Sequence, residues 1–372
     1  AQCSQKYRRE IKRTTAMFVK NAWYVAAWSK DVGRELLGRI LLNEYLVLYR
    51  QEDGTPVVLE NRCPHRNLPL SEGRLIGDEI ECGYHGLVFN CDGACTHQPG
   101  AEAPPAWARV RKYPVAEQNG WVFFWPGDPA LADHALVPDY TAVSYADDWI
   151  RVEGQTLVKA GYRLILDNLL DLSHLTYVHS STTGNRDLAE SAALETDIQD
   201  STVRMTRWMA DVVPAPAYRD YGGYEGNVDR WQVTHFTAPS YIHVNNGSVD
   251  AGVGADRDVL DNRQGRWGFQ VYHAMTPETE ATTHQFWAVG TQRSMVPEDK
   301  RQLFADQMIN VIKEDLDVYE AQQRAIDLDA GALAGDVNPL GTLPGDEGLL
   351  AMRRILRRIY GDEQKAERVA AQ

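Results

Sequence analysis

Between residues 38 and 60 apolar and polar positions alternate in short runs, GRILLNEYLVLYRQEDGTPVVLE, interrupted at Asp53-Gly54. Period-two alternation on either side of an Asp-Gly pair predicts strand, turn, strand. Short runs of the same kind follow at GDEIECGYHGLVFN, VRKYPVAEQNG and WVFFWPGD. Together they predict a small antiparallel β domain. The Pro- and Ala-rich stretch PGDPALADHALVP then marks a boundary. Beyond it the period changes: residues 163–179 are leucine-rich and helical in character, and 202–245 and 264–293 return to strand patterning. Residues 298–325 carry helical spacing, with Pro297 near the start. A Gly/Pro-rich loop at 329–346 precedes a basic amphipathic helix, LLAMRRILRRIYGDEQKAERV. The expected fold class is α+β: an N-terminal all-β domain at 17–133, then an α+β domain at 134–360 with an antiparallel sheet flanked by helices. Residues 1–16 are expected to be an extension ahead of Met17.

Bulk composition narrows the function classes. The 372 residues are 44% hydrophobic and 24% charged, with a net charge of -14. So acidic a chain lacks the basic surface that holds phosphate backbones, which argues against nucleic acid. It has no run of eighteen apolar residues, so no membrane span is expected. The opening AQCSQKYRREIKRTTA is polar and basic, without the apolar core of a signal peptide, and a cytoplasmic location is expected. Five cysteines, an odd number, argue against a disulfide scaffold. Cys91 and Cys95, in the turn NCDGAC, are expected to be free thiols near the domain surface.

Two half-motifs change the picture. CPHR at 63–66 and CGYHG at 82–86 give Cys63-x-His65 and Cys82-x-x-His85. Each loop supplies one thiolate and one imidazole, the donor set of a Rieske [2Fe–2S] cluster. Cys₂His₂ zinc is the weaker alternative, because a zinc finger places its histidines together on a helix. Here each His follows its own Cys among Gly and Pro. This half resembles the Rieske domain family. Respiratory Rieske proteins carry an extra Cys beside each ligand pair. Here Arg66, Asn67, Gly83, Tyr84 and Leu87 occupy the neighbourhood, implying fewer hydrogen bonds to cluster sulfurs and a lower potential.

DNLLDLSHLTYVHS, residues 167–180, sets ionisable groups in a stretch otherwise apolar enough for a core. His174 and His179 would point about 140° apart on a regular helix, at 100° per residue. They share a metal only if the helix breaks, bulges or unwinds. A carboxylate would complete the two-His, one-carboxylate set of non-haem Fe(II) oxygenases. KEDLD offers Asp315, with Glu314 and Asp317 as alternatives.

The pattern Asn168-x-x-Asp171-x-x-His174-x4-His179, with Asp315 far downstream, resembles the catalytic domain of Rieske non-haem iron oxygenases. NAWYVAA, WPGDPALAD, DRWQ and TPETEATTHQFW resemble the homotrimeric branch that includes vanillate O-demethylase oxygenase and dicamba monooxygenase. The resemblance spans residues 17–325. It implies His174, His179 and Asp315 as Fe(II) ligands and Asn168 beside the iron. Asp171 matches an aspartate that bridges His85 of one subunit to His174 of the next, in a head-to-tail trimer. A separate flavin/iron–sulfur reductase would deliver electrons from NAD(P)H. His273 in VYHAMTPE matches a position that hydrogen-bonds a substrate carboxylate or hydroxyl, and His243 and Asn245 in PSYIHVNNG lie on an expected pocket strand. The implied reaction is O₂-dependent O-demethylation of a methoxylated aromatic acid with release of formaldehyde. Ring hydroxylation, N-demethylation or methyl oxidation is the alternative. Arg353, Arg354, Arg357 and Arg358 on the last helix are expected to form a solvated face.

Overall fold

Alternating runs pair into short antiparallel strands throughout the first part of the computed structural model, which describes residues 18–140, 148–185, 193–253, 267–328, 343 and 345–370. The chain divides into two compact units. One comprises Lys20–Asp139 with Thr276–Thr279; the other gathers Ala1–Val19, Tyr140–Met275 and Glu280–Gln372. Residues 1–16, Cys3, Met17 and nearly all of the Gly/Pro-rich loop lie outside the described residues.

The first unit is built from three small sheets. Strands β1 (Tyr24–Trp28), β9 (Val115–Gln118) and β10 (Trp121–Phe124) form one, in the order β1-β10-β9. β2 (Leu37–Leu41), β3 (Glu44–Arg50) and β4 (Pro56–Glu60) form the second. The third runs β5 (Arg74–Ile76), β6 (Glu79–Glu81), β7 (Val88–Phe89), β8 (Cys95–His97) in sequence order. Cys63 follows β4 and Cys82 follows β6, so each half-motif caps a strand end. Both cysteines join a core with Leu59, Leu70, Ile80, Leu87 and Phe89. Cys91 and Cys95 are half-buried free thiols beside it.

The second unit centres on a seven-stranded sheet of order β11-β17-β16-β15-β14-β13-β12. Its strands are β11 (Trp149–Val158), β12 (Ala193–Ile198), β13 (Thr202–Val212), β14 (Val228–Thr237), β15 (Tyr241–Asp250), β16 (Trp267–Pro277) and β17 (Thr283–Gln292). Helices α1 (Tyr162–Leu170), α2 (Leu175–Val178) and α3 (Pro216–Gly222) precede or interrupt the strands. Helices α4 (Arg301–Leu328) and α5 (Glu347–Ala370) follow them. Glu298–Lys300 form a 3-10 turn, so the long helix starts at Arg301 rather than 298. No helix among the described residues is long and apolar enough to cross a membrane.

One stripe of α4 organises this unit. Phe304, Met308, Ile312, Asp315 and Tyr319 recur at three- and four-residue intervals and are all buried. Phe304, Met308 and Ile312 pack with Trp267, Phe269, Val271, Trp287 and Val289 of β16 and β17. Asp315 thus occupies a core position by periodicity. On the last helix Arg354, Arg357 and Arg358 are exposed, as a solvated face requires, and the expectation fails at half-buried Arg353. The Arg353 guanidinium forms a two-pronged ion pair with Asp167 of α1, with Nε 3.0 Å from Oδ1. Arg358 donates to the Asp200 carbonyl. Ala351, Met352, Ile355 and Leu356 bury the opposite side of the helix.

Candidate metal centres

The two Cys/His loops fold the same way. The Cys63 N–H donates to the Leu68 carbonyl at 2.9 Å, and the Asn67 N–H returns to the Cys63 carbonyl at 2.9 Å. In the second loop Cys82 N–H donates to the Leu87 carbonyl at 2.8 Å, and Gly86 N–H returns at 3.1 Å. The fourth residue after each Cys is left-handed: Asn67 at φ 60° and Gly86 at φ 71°. Gly is required at 86, where a Cβ would also meet the Pro99 ring at 2.9 Å. These turns bury both thiols and leave both imidazoles exposed, with ring centroids 4.5 Å apart. Burial, with Cys82 adjacent, pushes the Cys63 thiol up to about 11. Two mutually close thiols beneath two mutually close imidazoles fit a cluster that takes two sulfurs on one iron and two nitrogens on the other.

In the second unit α1 ends where Asp171 turns extended, at φ -92° and ψ 96°. His174 opens the single turn of α2, and His179 closes it at φ -104°, ψ 26°. The chain therefore leaves helical geometry at His179, as a shared metal requires. Gly184 folds the following loop back onto the His179 carbonyl at 2.8 Å, and a Cβ there would collide with the Leu175 carbonyl. The two imidazoles lie 5.2 Å apart, centroid to centroid. Asp315 Oδ1 sits 3.2 Å from His179 Nε2 and 3.7 Å from His174 Nε2. One ligand atom from each of the three residues falls within 4.8 Å of the others.

The outer atoms of these side chains are held in place. His179 Nδ1 lies 2.7 Å from Glu314 Oε2, and Glu314 also accepts from Thr182 Oγ1 at 3.1 Å and Ser181 Oγ at 3.2 Å. His174 Nδ1 faces the Asp171 backbone carbonyl. Asn168 Nδ2 donates to Asp315 Oδ1 at 3.1 Å and reaches Tyr319 Oη at 3.4 Å. With both Nδ1 atoms occupied, both Nε2 atoms point at the shared position. Burial, opposed by the Asp315 charge, holds His174 below its ordinary value. Burial also works to lower His179, but its bonds and charge interactions with Asp315 and Glu314 prevail and raise it. Burial pushes Asp315 up, but the His179 hydrogen bond and charge, with His174 and Asn168, hold it below the usual carboxylate range.

A charge-assisted partner on Nδ1 fixes ring orientation and basicity, so Glu314→Gln should weaken Fe(II) binding about 10-fold, the low end for such supports. Anaerobic titration against a ferrous chelator checks this; unchanged affinity would remove Glu314 from the account. The raised His179 gives a pH dependence. Below its pKa in the metal-free protein His179 carries a proton that metal must displace, so binding releases a proton. Fe(II) affinity should therefore climb with pH above the ordinary His value of 6.5 and level off once His179 is neutral. The same titration at several pH values reads the slope, and a flat profile contradicts it.

The other expected site residues divide. Asp171 Oδ1 accepts from Ser173 N–H at 2.8 Å and from Ser173 Oγ at 2.5 Å. Asp317 is exposed on α4. His273 is buried on the sheet face that packs against α4, with Nδ1 3.3 Å from Gln285 Nε2. Burial, opposed by Asp315, lowers it to about 4, leaving a neutral imidazole. His243 and Asn245 are not beside it. Ile242 pairs with His273, whereas His243 pairs with Tyr272 and Asn245 with Gln270. Cross-strand partners share a face, so both residues project from the opposite side of the sheet. There His243 stacks on Tyr272 at 4.3 Å and reaches Gln270 Oε1 at 3.0 Å. The pocket-strand expectation is out of phase by one residue: Asn246 shares the His273 face. Also missed were Arg207, Arg230, Gln232 and Gln285, all buried. Their signal is a polar residue in the core phase of a strand.

Comparison with known proteins matches this geometry. The Rieske [2Fe-2S] domain family covers residues 22–114, and the vanillate O-demethylase oxygenase C-terminal domain family covers residues 158–360. The iron-sulfur subunit TsaM1 of the toluene-4-sulfonate monooxygenase system of Comamonas testosteroni is 34% identical over 355 residues, 93% of this chain and 98% of that protein. The vanillate O-demethylase oxygenase subunit of a Pseudomonas species is 34% identical over 361 residues, 94% of this chain and 97% of that protein. The crystal structure of dicamba monooxygenase bound to 3,6-dichlorosalicylic acid superposes with a TM-score of 0.84 at 30% identity, covering 94% of this chain and 99% of that one. A Rieske cluster fold followed by a catalytic domain that gathers His174, His179 and Asp315 makes this chain a member of the Rieske non-haem iron oxygenases, in the group with a vanillate O-demethylase-type C-terminal domain.

Proposed function

We propose that this chain is the terminal oxygenase that removes a methyl group from a methoxylated aromatic acid, using O₂ and electrons from NAD(P)H delivered by a separate flavin/iron–sulfur reductase. The observation that carries the reading is the convergence of His174, His179 and Asp315 within 4.8 Å in a buried setting. Cys63, His65, Cys82 and His85 would hold the [2Fe–2S] cluster, and His174, His179 and Asp315 the Fe(II). When loaded, the cluster supplies electrons and the ferrous ion supplies O₂ activation. The chain's own residues do the rest. Glu314 and the Asp171 carbonyl hold the two imidazoles, and Asn168 fixes the Asp315 carboxylate. Buried, neutral His273 offers a hydrogen bond to the substrate, and the apolar face around Phe269 and Val271 excludes water. Hydroxylation of the methyl C–H gives a hemiacetal that collapses to a phenol and formaldehyde.

The family resemblance supports a homotrimer in which Asp171 links the cluster of one subunit to the mononuclear site of the next, and a cytoplasmic location. The name of the dicamba O-demethylase oxygenase component of Stenotrophomonas maltophilia, 35% identical over 312 residues, supports O-demethylation. A formaldehyde-release screen across methoxybenzoates with a compatible reductase tests the reading. Formaldehyde stoichiometric with O₂ consumed is the expected result; a hydroxylated product retaining every carbon would replace O-demethylation by methyl or ring hydroxylation.

A further inference from the structure

The sheet face that carries His273 also carries a group of buried polar side chains that the metal ligands do not use. Arg207, Gln232 and Asn246 stand directly opposite one another on β13, β14 and β15. Arg230 stands one pair further along, opposite Met209 and Ser248. Asn246 pairs with Phe269, and Phe269 and Met209 pack with α4, so this row faces the metal-bearing helix. Exposure is 1% for Arg230, 0% for Gln232, 5% for Asn246 and 6% for Arg207. Among the described residues, nothing bonds to either amide atom of Gln232, to Asn246 Oδ1, or to Arg230 Nε and Nη1.

Such a concentration of unmet donors and acceptors is expensive in a folded interior. The two arginines locate it. Arg207 Nη1 donates to the Leu172 carbonyl at 2.9 Å, two residues before His174. Arg230 Nη2 donates to the Thr183 carbonyl at 2.8 Å, four residues after His179. The group therefore lies against the segment that presents both histidines. Charge then separates the two cations. Arg207 has Asp171 as a neighbouring acid. Arg230 has no carboxylate partner among the described residues. The adjacent Asp229 projects from the other face and accepts from the Asp211 and Gly252 N–H groups. Arg230 lies over the Tyr218 ring, 3.9 Å from its centroid, and the Tyr218 hydroxyl beside it is not in hydrogen-bond geometry with Nε or Nη1. A buried guanidinium with two open donors and no counter-charge is complementary to a planar or tripodal oxyanion.

We propose that Arg230, with Gln232 and Asn246, binds the oxyanion head of the aromatic substrate, a carboxylate or a sulfonate, beside the segment that holds the metal ligands. The proposal rests on the oxygenase reading for its choice of an aromatic ligand, and it assigns the acid group to Arg230 rather than to neutral His273. The test is calorimetry on the ferrous holoenzyme without O₂ or reductase, using 3-methoxybenzoate, toluene-4-sulfonate and uncharged 3-methoxybenzamide. At least one anion should bind roughly 10-fold or more tightly than the amide, and which anion wins identifies the head group. Arg230→Met should weaken that anion roughly 10- to 100-fold, the range for hydrogen bonds to a charged group, and leave the amide nearly unchanged. Arg230→Lys should restore part of the preference. Gln232→Leu leaves the Thr183 contact intact and should lower anion affinity selectively, so it decides the matter if Arg230→Met does not fold. Failure of the wild type to bind either anion, or equal weakening of all three ligands in Arg230→Met and Gln232→Leu, overturns the proposal. Because no turnover is needed, anion binding without formaldehyde release would refute only the O-demethylation reading, and formaldehyde release without anion preference would refute only this one.

Discussion

Replacing His174 or Asp315 by alanine should end turnover, by roughly a thousandfold or more, the several kcal/mol that a metal ion supplies to its reaction. Neither substitution should alter the visible spectrum of the cluster. Each removes one of three donors from a site whose remaining two cannot compensate. His174 contributes a neutral nitrogen, since burial keeps it below its ordinary value. Asp315 contributes the only carboxylate within 4.8 Å of both imidazoles among the described residues. The Asp315 change also strands Asn168 Nδ2, so Asp315→Asn serves as a milder companion with the same expected loss. Single-turnover assays and the absorption spectrum of the same preparation read both halves. Retained turnover in either variant would exclude this constellation as the oxygen-activating site.

The reciprocal experiment concerns the first unit. Cys63→Ser or Cys82→Ser should abolish the red-brown chromophore and all steady-state turnover while the mononuclear site still binds about one Fe(II). The reason is local. Both thiols sit in the apolar core with Leu70, Ile80, Leu87 and Phe89, and burial holds Cys63 protonated up to about 11 without metal. A coordinating thiol is deprotonated outright, so cluster assembly replaces buried protons with iron–sulfur bonds. Serine neither ionises at neutral pH nor offers a soft donor. A drop in the unfolding temperature of the first unit should accompany loss of colour. A serine variant that keeps the chromophore would show that its cysteine is not a ligand.

How much of this was legible depends on how far apart the interacting residues lie. Each Cys/His pair falls within one short turn, so residue type and spacing displayed it. His174 and His179 are five positions apart, and the unwinding they need could be anticipated from helical geometry alone. Asp315 is different. Helical periodicity marks it as a buried position, but nothing local pairs it with His174; the family resemblance made that link. Glu314, weighed as an alternative ligand, lies one residue and about 100° away on α4 and reaches the far side of His179 instead. His243 and Asn245 failed for a definite reason. The run YIHVNNGS has polar residues in both phases, so only its pairing with β16 reveals which set shares the His273 face. Arg353 was misjudged because its partner, Asp167, lies 186 residues away. A charged helical stripe looks the same in sequence whether it is solvated or docked.

The central claim is that one chain holds two chemically distinct iron sites. Mössbauer spectroscopy with iron quantification on ⁵⁷Fe-loaded protein tests it most directly. About three irons per chain are expected, two in a cluster with unlike sulfur and nitrogen ligation and one high-spin ferrous, with only the last lost in His174→Ala. A colourless zinc protein, or a single class of iron that His174→Ala leaves unchanged, would contradict the account.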